Sequence, residues 1–373
     1  MLIGVPKEIK NNEYRVGLTP SSVREAVTHG HRVIVETNAG EGIRATDDEY
    51  RAAGAEVVTS ADEIFVRTEL IVKVKEPQAV ERRKLRPGQV LFTYLHLAPD
   101  PEQAKDLVAS GAIAIAYETV TTPSGGLPLL APMSEVAGRM SIQIGARFLE
   151  RPQGGRGVLL AGVPGVAPGR IVILGAGVVG TNAAQVATGI GAEVILMDRS
   201  PEALRRAANQ FGPRVKTVFA ARELIEEHVS SAHLVVGAAL VPGALAPKLV
   251  TRAMLPTMKR GAVLVDVSID QGGAFETSRV TTHSDPVFEL DGIVHYGVAN
   301  MPGAVPRTSA FALNNATIPY VLEIADRGWK AALEKNEHLR NGLNIAAGKV
   351  THPKVAEALG RPYTPPLEAM AAA

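Results

Sequence analysis

Gly175-Ala176-Gly177-Val178-Val179-Gly180 stands directly after the apolar run Ile171–Leu174. It opens a helix-forming segment, Thr181 to Ile190, and after Gly191 a second apolar run, Val194–Met197, ends on Asp198. Strand, G-x-G-x-x-G, helix, strand and acid in that order suit a dinucleotide-binding βαβ unit. Gly175 allows the tight turn, Gly177 lets the backbone approach a pyrophosphate, and Gly180 lets helix and strand pack closely. The pyrophosphate would meet the N–H groups of the helix N-terminus, and Asp198 would accept hydrogen bonds from the adenosine ribose. In a chain with 36 Gly, the same motif also suits a tightly packed α/β turn with no ligand. The flanking strands and the acid about 20 residues on favour the dinucleotide.

A second group of residues lies at strand ends, where open α/β sheets bind ligands. Lys73 and Lys75 close the run Leu70–Val74, His96 closes Val90–Leu95, and Glu118 closes Ala112–Tyr117. Arg15 falls in the loop after Leu2–Val5. Arginine and lysine together suit a small carboxylate, one as a fork and the other as a point charge. Each also has a plainer reading: a solvated loop arginine, a core histidine, a solvated lysine, a glutamate that pairs with one of the cations. Further on, Asp270 follows Val263–Val267 and precedes Gly272-Gly273, and Asn300-Met301-Pro302-Gly303 follows Ile293–Val298. Glycines there mark a turn and also free the backbone to approach a nicotinamide ring.

The elements that must position these residues alternate. Apolar runs at Leu2–Val5, Arg32–Glu36, Leu70–Val74, Val90–Leu95 and Ala112–Tyr117 are separated by helical stretches near Pro20–Thr28, Asp47–Ala53, Gln78–Lys84 and Pro101–Ala109. Glycines 30, 54, 88 and 111 stop the helices. This predicts a parallel sheet covered on both faces. Ala131–Glu150 reads as a long helix between domains, and Gly154–Gly169 as a projecting hairpin. Val215–Phe219, Leu234–Gly237, Val263–Val267 and Ile293–Val298 continue the fingerprint domain. A second long helix, Thr308–Glu334, is expected to kink at Pro319, and Leu367–Ala373 to fray. The fold class is therefore α/β, two doubly wound Rossmann-like parallel-sheet domains linked by long helices. The expected domains are 1–130 with 305–373, carrying substrate and catalytic groups, and 131–304, binding the dinucleotide.

Composition narrows the function classes. A chain of 373 residues with 46% hydrophobic and 21% charged residues is long enough for two ordinary globular domains. A net charge of +1 gives no electrostatic case for nucleic acid or an anionic membrane. The absence of cysteine removes disulfides, thiolate nucleophiles and cysteine-held metals, and no metal site is expected. The first residues turn charged too early for a signal peptide, and no apolar run reaches the roughly 18 residues of a membrane span. A cytoplasmic protein is expected.

Taken together, Asn11-Asn12-Glu13-Tyr14-Arg15-Val16, Lys73-Val74-Lys75-Glu76-Pro77, Leu95-His96-Leu97-Ala98, Leu130–Arg139, the Gly175–Gly180 fingerprint, Asp266–Gly273 and Val298–Pro302 carry a resemblance. The chain resembles the alanine dehydrogenases along essentially its whole length. The resemblance implies reversible oxidative deamination of L-alanine by NAD to pyruvate, NADH and ammonium, in a homo-oligomer that is typically a hexamer. It implies substrate binding by Arg15 and Lys75 and catalysis by His96 and Asp270. It also implies cofactor contacts at Ser134, Gly175, Gly177, Val178, Val179, Gly180, Asp198, Ala239, Leu240, Val267, Ser268, Ile269, Asp270, Arg279, Val298, Ala299, Asn300 and Met301. Ala203 and Ala220 depart from the family, which often has polar side chains there, so a neighbour such as Arg199 would have to replace those contacts.

The implied chemistry suits the residue types. Hydride leaves the alanine Cα, and water attacks the resulting iminium. An imidazole, with an ordinary pKa near 6.5, can exchange a proton with the developing carbonyl oxygen. Lys75 supplies positive charge at that oxygen, and Asp270 can activate the water or take the ammonium proton. Asp198 should repel the 2′-phosphate of NADP, although Arg199 beside it could bind one. Closure between the domains is expected to complete the site. The competing readings are the NAD-binding component of a proton-translocating transhydrogenase, whose family lacks an acid at the Asp270 position, a saccharopine-type amino-acid dehydrogenase, and an NAD-binding protein without catalysis.

Overall fold

The computed structural model describes residues 1–239 and 245–373. Its chain divides into two compact units, Met1–Met133 with Val305–Ala373, and Ser134–Ala304. Strands β1 (Leu2–Val5), β2 (Arg32–Glu36), β3 (Glu56–Val58), β4 (Leu70–Val72), β5 (Val90–Thr93) and β6 (Ile113–Ala116) come first. Then follow β7 (Arg170–Leu174), β8 (Glu193–Asp198), β9 (Val215–Phe219), β10 (Leu234–Gly237), β11 (Val263–Asp266), β12 (Val287–Leu290) and β13 (Ile293–Tyr296), with β14 (Leu343–Ala346) and β15 (Lys349–Val350) last.

In the first unit the sheet order is β15-β14-β6-β5-β4-β1-β2-β3, with β1 to β6 parallel and β14 and β15 antiparallel. In the second it is β12-β13-β11-β10-β7-β8-β9, parallel except for β12 on β13. Both cores thus have the doubly wound order in which the first strand lies beside the fourth, so connections diverge at β1/β4 and at β7/β10. A crevice opens at such a point beyond the carboxyl ends of the strands. The central strands explain themselves: LIV, VLFT, IAIA, LVVG and VLVD are buried along their whole length, as a parallel sheet covered on both faces demands. VKTVF of β9 and VFEL of β12 alternate or expose residues because they are edges.

The two parallel-dominated, doubly wound sheets are as expected, with β12, β14 and β15 joined antiparallel. Other expectations need correction. Pro319 lies within the continuous helix Pro306–Arg327, and the interruption falls at Gly328, whose φ of +76° ends one helix before Trp329–Lys335 starts. The C-terminus is not frayed: Pro366–Ala372 is a helix with Ala369 and Met370 buried, and Lys330 Nζ donates to the Ala373 carbonyl at 2.6 Å. Within Gly154–Gly169 the expected hairpin is short: Val163 and Val166 bridge antiparallel across a tight turn, and the Gly169 N–H donates to the Leu160 carbonyl at 2.9 Å. Among the described residues no helix is long and apolar enough to cross a membrane.

Candidate active-site groups

In the first unit, the loop carrying Arg15 lies across the end of β4. Gly17 makes this possible, because a Cβ there would stand 2.2 Å from the Val72 carbonyl oxygen. Asn314, on the helix Pro306–Arg327, accepts from the Thr19 N–H at 2.8 Å and donates to the Val16 carbonyl at 3.4 Å. Arg15 is buried, at 2% exposure, and is gripped by Glu13. Glu13 Oε1 accepts from Nε at 2.7 Å and Oε2 from Nη2 at 2.5 Å, while Nη1 faces the Met133 sulfur at 2.9 Å. Burial alone would push the Glu13 carboxyl up; the hydrogen bonds and charge of Arg15 outweigh it and bring it down to about 2. Arg15 is therefore no solvated loop arginine.

Lys73 is fully buried between two carboxylates, Glu8 at 3.2 Å and Glu81 at 2.8 Å. Burial opposes its charge, but the two acids prevail and raise its pKa. Burial has the upper hand at Glu8, whose pKa is raised. Glu8 Oε1 also accepts from the N–H groups of Val74 at 2.6 Å and Lys75 at 3.4 Å. The buried triad thus fixes the backbone on which Lys75 is mounted, and the Thr93 hydroxyl holds the Lys75 carbonyl at 3.0 Å. Lys75 is half-buried, and its charge helps lower both Glu13 and Glu76.

His96 is on a left-handed turn, φ +49°, which costs a side-chain-bearing residue about 1 kcal/mol or more. Glu118 holds that turn: its Oε1 accepts from the His96 N–H at 2.6 Å, and the Leu95 N–H is 3.2 Å from each carboxylate oxygen. The imidazole lies parallel to the Tyr94 ring at 5.7 Å, and Tyr94 meets Tyr117 edge-on at 5.1 Å. Its side chain remains 45% exposed, so His96 is not a core histidine. β4 pairs with β5, the Thr93 hydroxyl holds the Lys75 carbonyl, His96 lies over Tyr94 and the Arg15 loop crosses the end of β4, so the three groups share the carboxyl end of this sheet.

In the second unit the fingerprint follows β7. A Cβ on Gly180 would be 1.8 Å from the Gly175 carbonyl oxygen, and one on Gly175, at φ +117°, would be 2.5 Å from that of Ala238. Those two glycines serve packing. Gly177 does not, because its Cβ would meet nothing within 4 Å. It is the N-cap of the helix Val178–Gly189, which has no side-chain capping bond. Open space over an uncapped helix start fits the pyrophosphate of a dinucleotide. Asp198 ends β8 and braces the turn, accepting from the Ala176 N–H at 2.6 Å and the Ser200 N–H at 2.7 Å. Ser134 lies one helical turn before Gly138 on the helix Ala131–Phe148; that glycine lets the helix approach the Val179 carbonyl, to which a Cβ would be 2.2 Å.

The Val267–Gly273 turn is built around a buried acid that sequence reasoning passed over. Asp266, at 1% exposure, accepts from the N–H groups of Ser268 at 3.0 Å and Ala274 at 2.8 Å, and from the Ser278 hydroxyl. Burial pushes its carboxyl up despite these bonds. Ser268 donates to the Ala239 carbonyl at 2.7 Å, which ties the ends of β10 and β11 together. Asp270 is exposed on this turn, beside Ile269. After β13, Val298 is fully buried, Ala299 is partly exposed, Asn300 has φ +58° and Met301 is nearly covered. The Arg279 guanidinium lies 4.1 Å over the Phe288 ring of edge strand β12, and the Arg279 carbonyl packs against Gly297, directly before Val298. Leu240 lies outside the described residues. Ala203 and Ala220 are buried, at 6% and 5% exposure. Among the described residues no cluster of three His, Asp or Glu could hold a metal.

Glu8, Glu13 and Glu81 were also missed as supporting groups. Glu8 and Glu13 signal only by nearness to a strand end or to Arg15, and Glu81 only by its place in the first turn of the helix Ala79–Arg82, which many solvated glutamates share.

Two family models together span most of the chain: the alanine dehydrogenase/PNT N-terminal domain over residues 4–137 and its C-terminal domain over residues 141–353. The chain is 57% identical to an alanine dehydrogenase of Halomonas elongata over 97% of its own length and 98% of the relative's. A solved L-alanine dehydrogenase superposes with a TM-score of 0.94 at 53% identity, covering 96% of this chain and 99% of that one. A solved transhydrogenase from Sinorhizobium meliloti superposes with a TM-score of 0.82 at 27% identity, over 95% and 99%. By its full-length likeness in sequence and fold, the chain belongs to the alanine dehydrogenase/PNT family.

Proposed function

We propose that the protein is an L-alanine dehydrogenase, an oxidoreductase that interconverts L-alanine with pyruvate and ammonium using NAD. The observation that carries this is the 57% identity, across 97% of the chain, to a protein of that name. The likeness to the transhydrogenase is much weaker, at 27%. Residues 1–130 with 305–373 are assigned the substrate and 131–304 the cofactor.

Arg15 is assigned the substrate carboxylate, with Glu13 gripping the Nε and Nη2 side of its fork. Lys75 sets a positive charge at the substrate oxygen. His96 exchanges a proton with that oxygen, and Asp270 activates water or takes the ammonium proton. When bound, NAD accepts the hydride. The chain's own part is to hold it: Gly175, Gly177, Val178, Val179 and Gly180 around the pyrophosphate, Asp198 at the ribose, Ser134, Ala239 and Val267–Asp270 along its length, and Val298, Ala299, Asn300 and Met301 toward the nicotinamide. Leu240 and Arg279 join this assignment from the resemblance. Asp198 gives the preference for NADH over NADPH. A homohexamer in the cytoplasm also follows from the resemblance, and sedimentation of the purified protein tests the assembly. The activity test follows NADH absorbance with pyruvate plus ammonium, then with 2-oxoglutarate plus lysine. Oxidation is expected with the first pair only; none with it refutes the assignment.

A further inference from the structure

Glu118 stands in the short turn Tyr117–Thr119 directly after β6, with 16% of its side chain exposed. Its contacts go beyond an ordinary surface acid. One oxygen, Oε1, accepts the His96 N–H at 2.6 Å and lies 3.9 Å from His96 Nδ1. Both oxygens are 3.2 Å from the Leu95 N–H. The same carboxylate therefore holds the left-handed backbone under His96 and faces one nitrogen of its ring. Tyr94, parallel to the imidazole at 5.7 Å, restricts the ring to that plane.

A carboxylate facing one ring nitrogen selects the tautomer protonated there and leaves the other nitrogen as the base. We propose that Glu118 is a positioning residue for His96, fixing its turn and setting a negative charge 3.9 Å from Nδ1 that favours the proton there, so that Nε2 is the atom that exchanges a proton with the substrate oxygen. In deamination neutral His96 takes the proton at Nε2, and the imidazolium formed is stabilised by Glu118. In amination the proton returns by the same route. This rests on the reading of His96 as the proton-exchanging group.

The variants Glu118→Gln, Glu118→Asp and His96→Ala, with the Glu118→Gln/His96→Ala double variant, separate the two claims. Glutamine keeps a carbonyl oxygen at the Oε1 position, facing both the His96 N–H and Nδ1, but removes the negative charge that favours the Nδ1 proton and stabilises the imidazolium. The expected result is kcat for pyruvate amination lowered about 100-fold or more in Glu118→Gln, with NADH affinity, read by fluorescence titration, within about twofold of wild type. Glu118→Asp should recover part of kcat, and the double variant should be no slower than His96→Ala alone. Three results overturn the proposal: Glu118→Gln within about threefold of wild-type kcat while His96→Ala is inactive; loss of NADH affinity in step with kcat; or an undiminished further loss in the His96→Ala background. If His96→Ala itself keeps most of its turnover, the reading of His96 fails and the positioning role falls with it.

Discussion

The two units share a strand order and prepare their strand ends with different materials. The first buries charge: Arg15 with Glu13, and Lys73 between Glu8 and Glu81, all nearly inaccessible. The second uses backbone and space. Gly175 and Gly180 admit a close turn, Gly177 leaves room, and the buried acid there, Asp266, is held by N–H groups and a hydroxyl rather than by cations. The difference matches the proposed ligands. A small amino acid must be oriented by fixed charges, which buried partners keep from wandering. A dinucleotide carries its own charges and needs room and directed N–H groups.

The largest effect expected bears on the one acid of the second unit placed in catalysis. Asp270→Asn should lower turnover by at least about 10³-fold while fluorescence still detects NADH binding, since the substitution leaves the fingerprint untouched. A variant with most of the wild-type kcat would remove Asp270 from the chemistry and leave the second unit with cofactor binding alone.

Next comes the buried triad. Lys73→Met strands Glu8 and Glu81 without their cation, which costs about 3–5 kcal/mol and should lower Tm by roughly 10 °C. An unchanged Tm would show that the charge network does not set the first unit's stability. The equivalent loss in the second unit, Asp266→Asn, should cost less, because the amide keeps an oxygen for the Ala274 N–H and the Ser278 hydroxyl and gives up only the Ser268 N–H.

Acid should act on the first unit in a defined window. Glu13 is depressed from an ordinary 4.5 to about 2, so its stabilising contribution is present above about 4.5 and is lost as pH falls toward 2. For such a buried pair the whole shift corresponds to at most about 3 kcal/mol. Denaturant unfolding between pH 5 and 2.5 tests this: Glu13→Gln should flatten the decline, and an identical slope in the variant would remove Glu13 as its source.

The smallest expected effect is the sharpest test of the second unit. Gly177→Ala meets nothing in the protein, so Tm should hold while NADH binding weakens about tenfold, or about 1.4 kcal/mol. Gly180→Ala, blocked by the Gly175 carbonyl, should lose both. If the two variants behave alike, the open space at Gly177 is not a ligand space.

Periodicity and motif order already specified much of the molecule. The strands Leu2–Val5, Arg32–Glu36, Val215–Phe219 and Leu234–Gly237 and the helix Pro20–Thr28 have the bounds that their apolar runs and flanking glycines predict. Glu56–Val58 and Lys349–Val350 escaped because two or three residues carry no readable period. The expected helix Thr308–Glu334 is divided at Gly328, where φ +76° is not helical, and Pro319 lies inside its first part. The candidate groups Arg15, Lys75, His96 and Asp270 were readable by type and position at strand ends. Most of their anchors were not. Glu13 on Arg15, Glu8 and Glu81 on Lys73 and Asp266 under the Asp270 turn owe their roles to burial and distance, and Glu118, readable at its strand end, gains its hold on the His96 turn in the same way. Residue type and spacing set which chemistry is available along a chain; whether a carboxylate is solvated or buried against a cation depends on which segments the fold brings together. That pairing is a property of the tertiary structure.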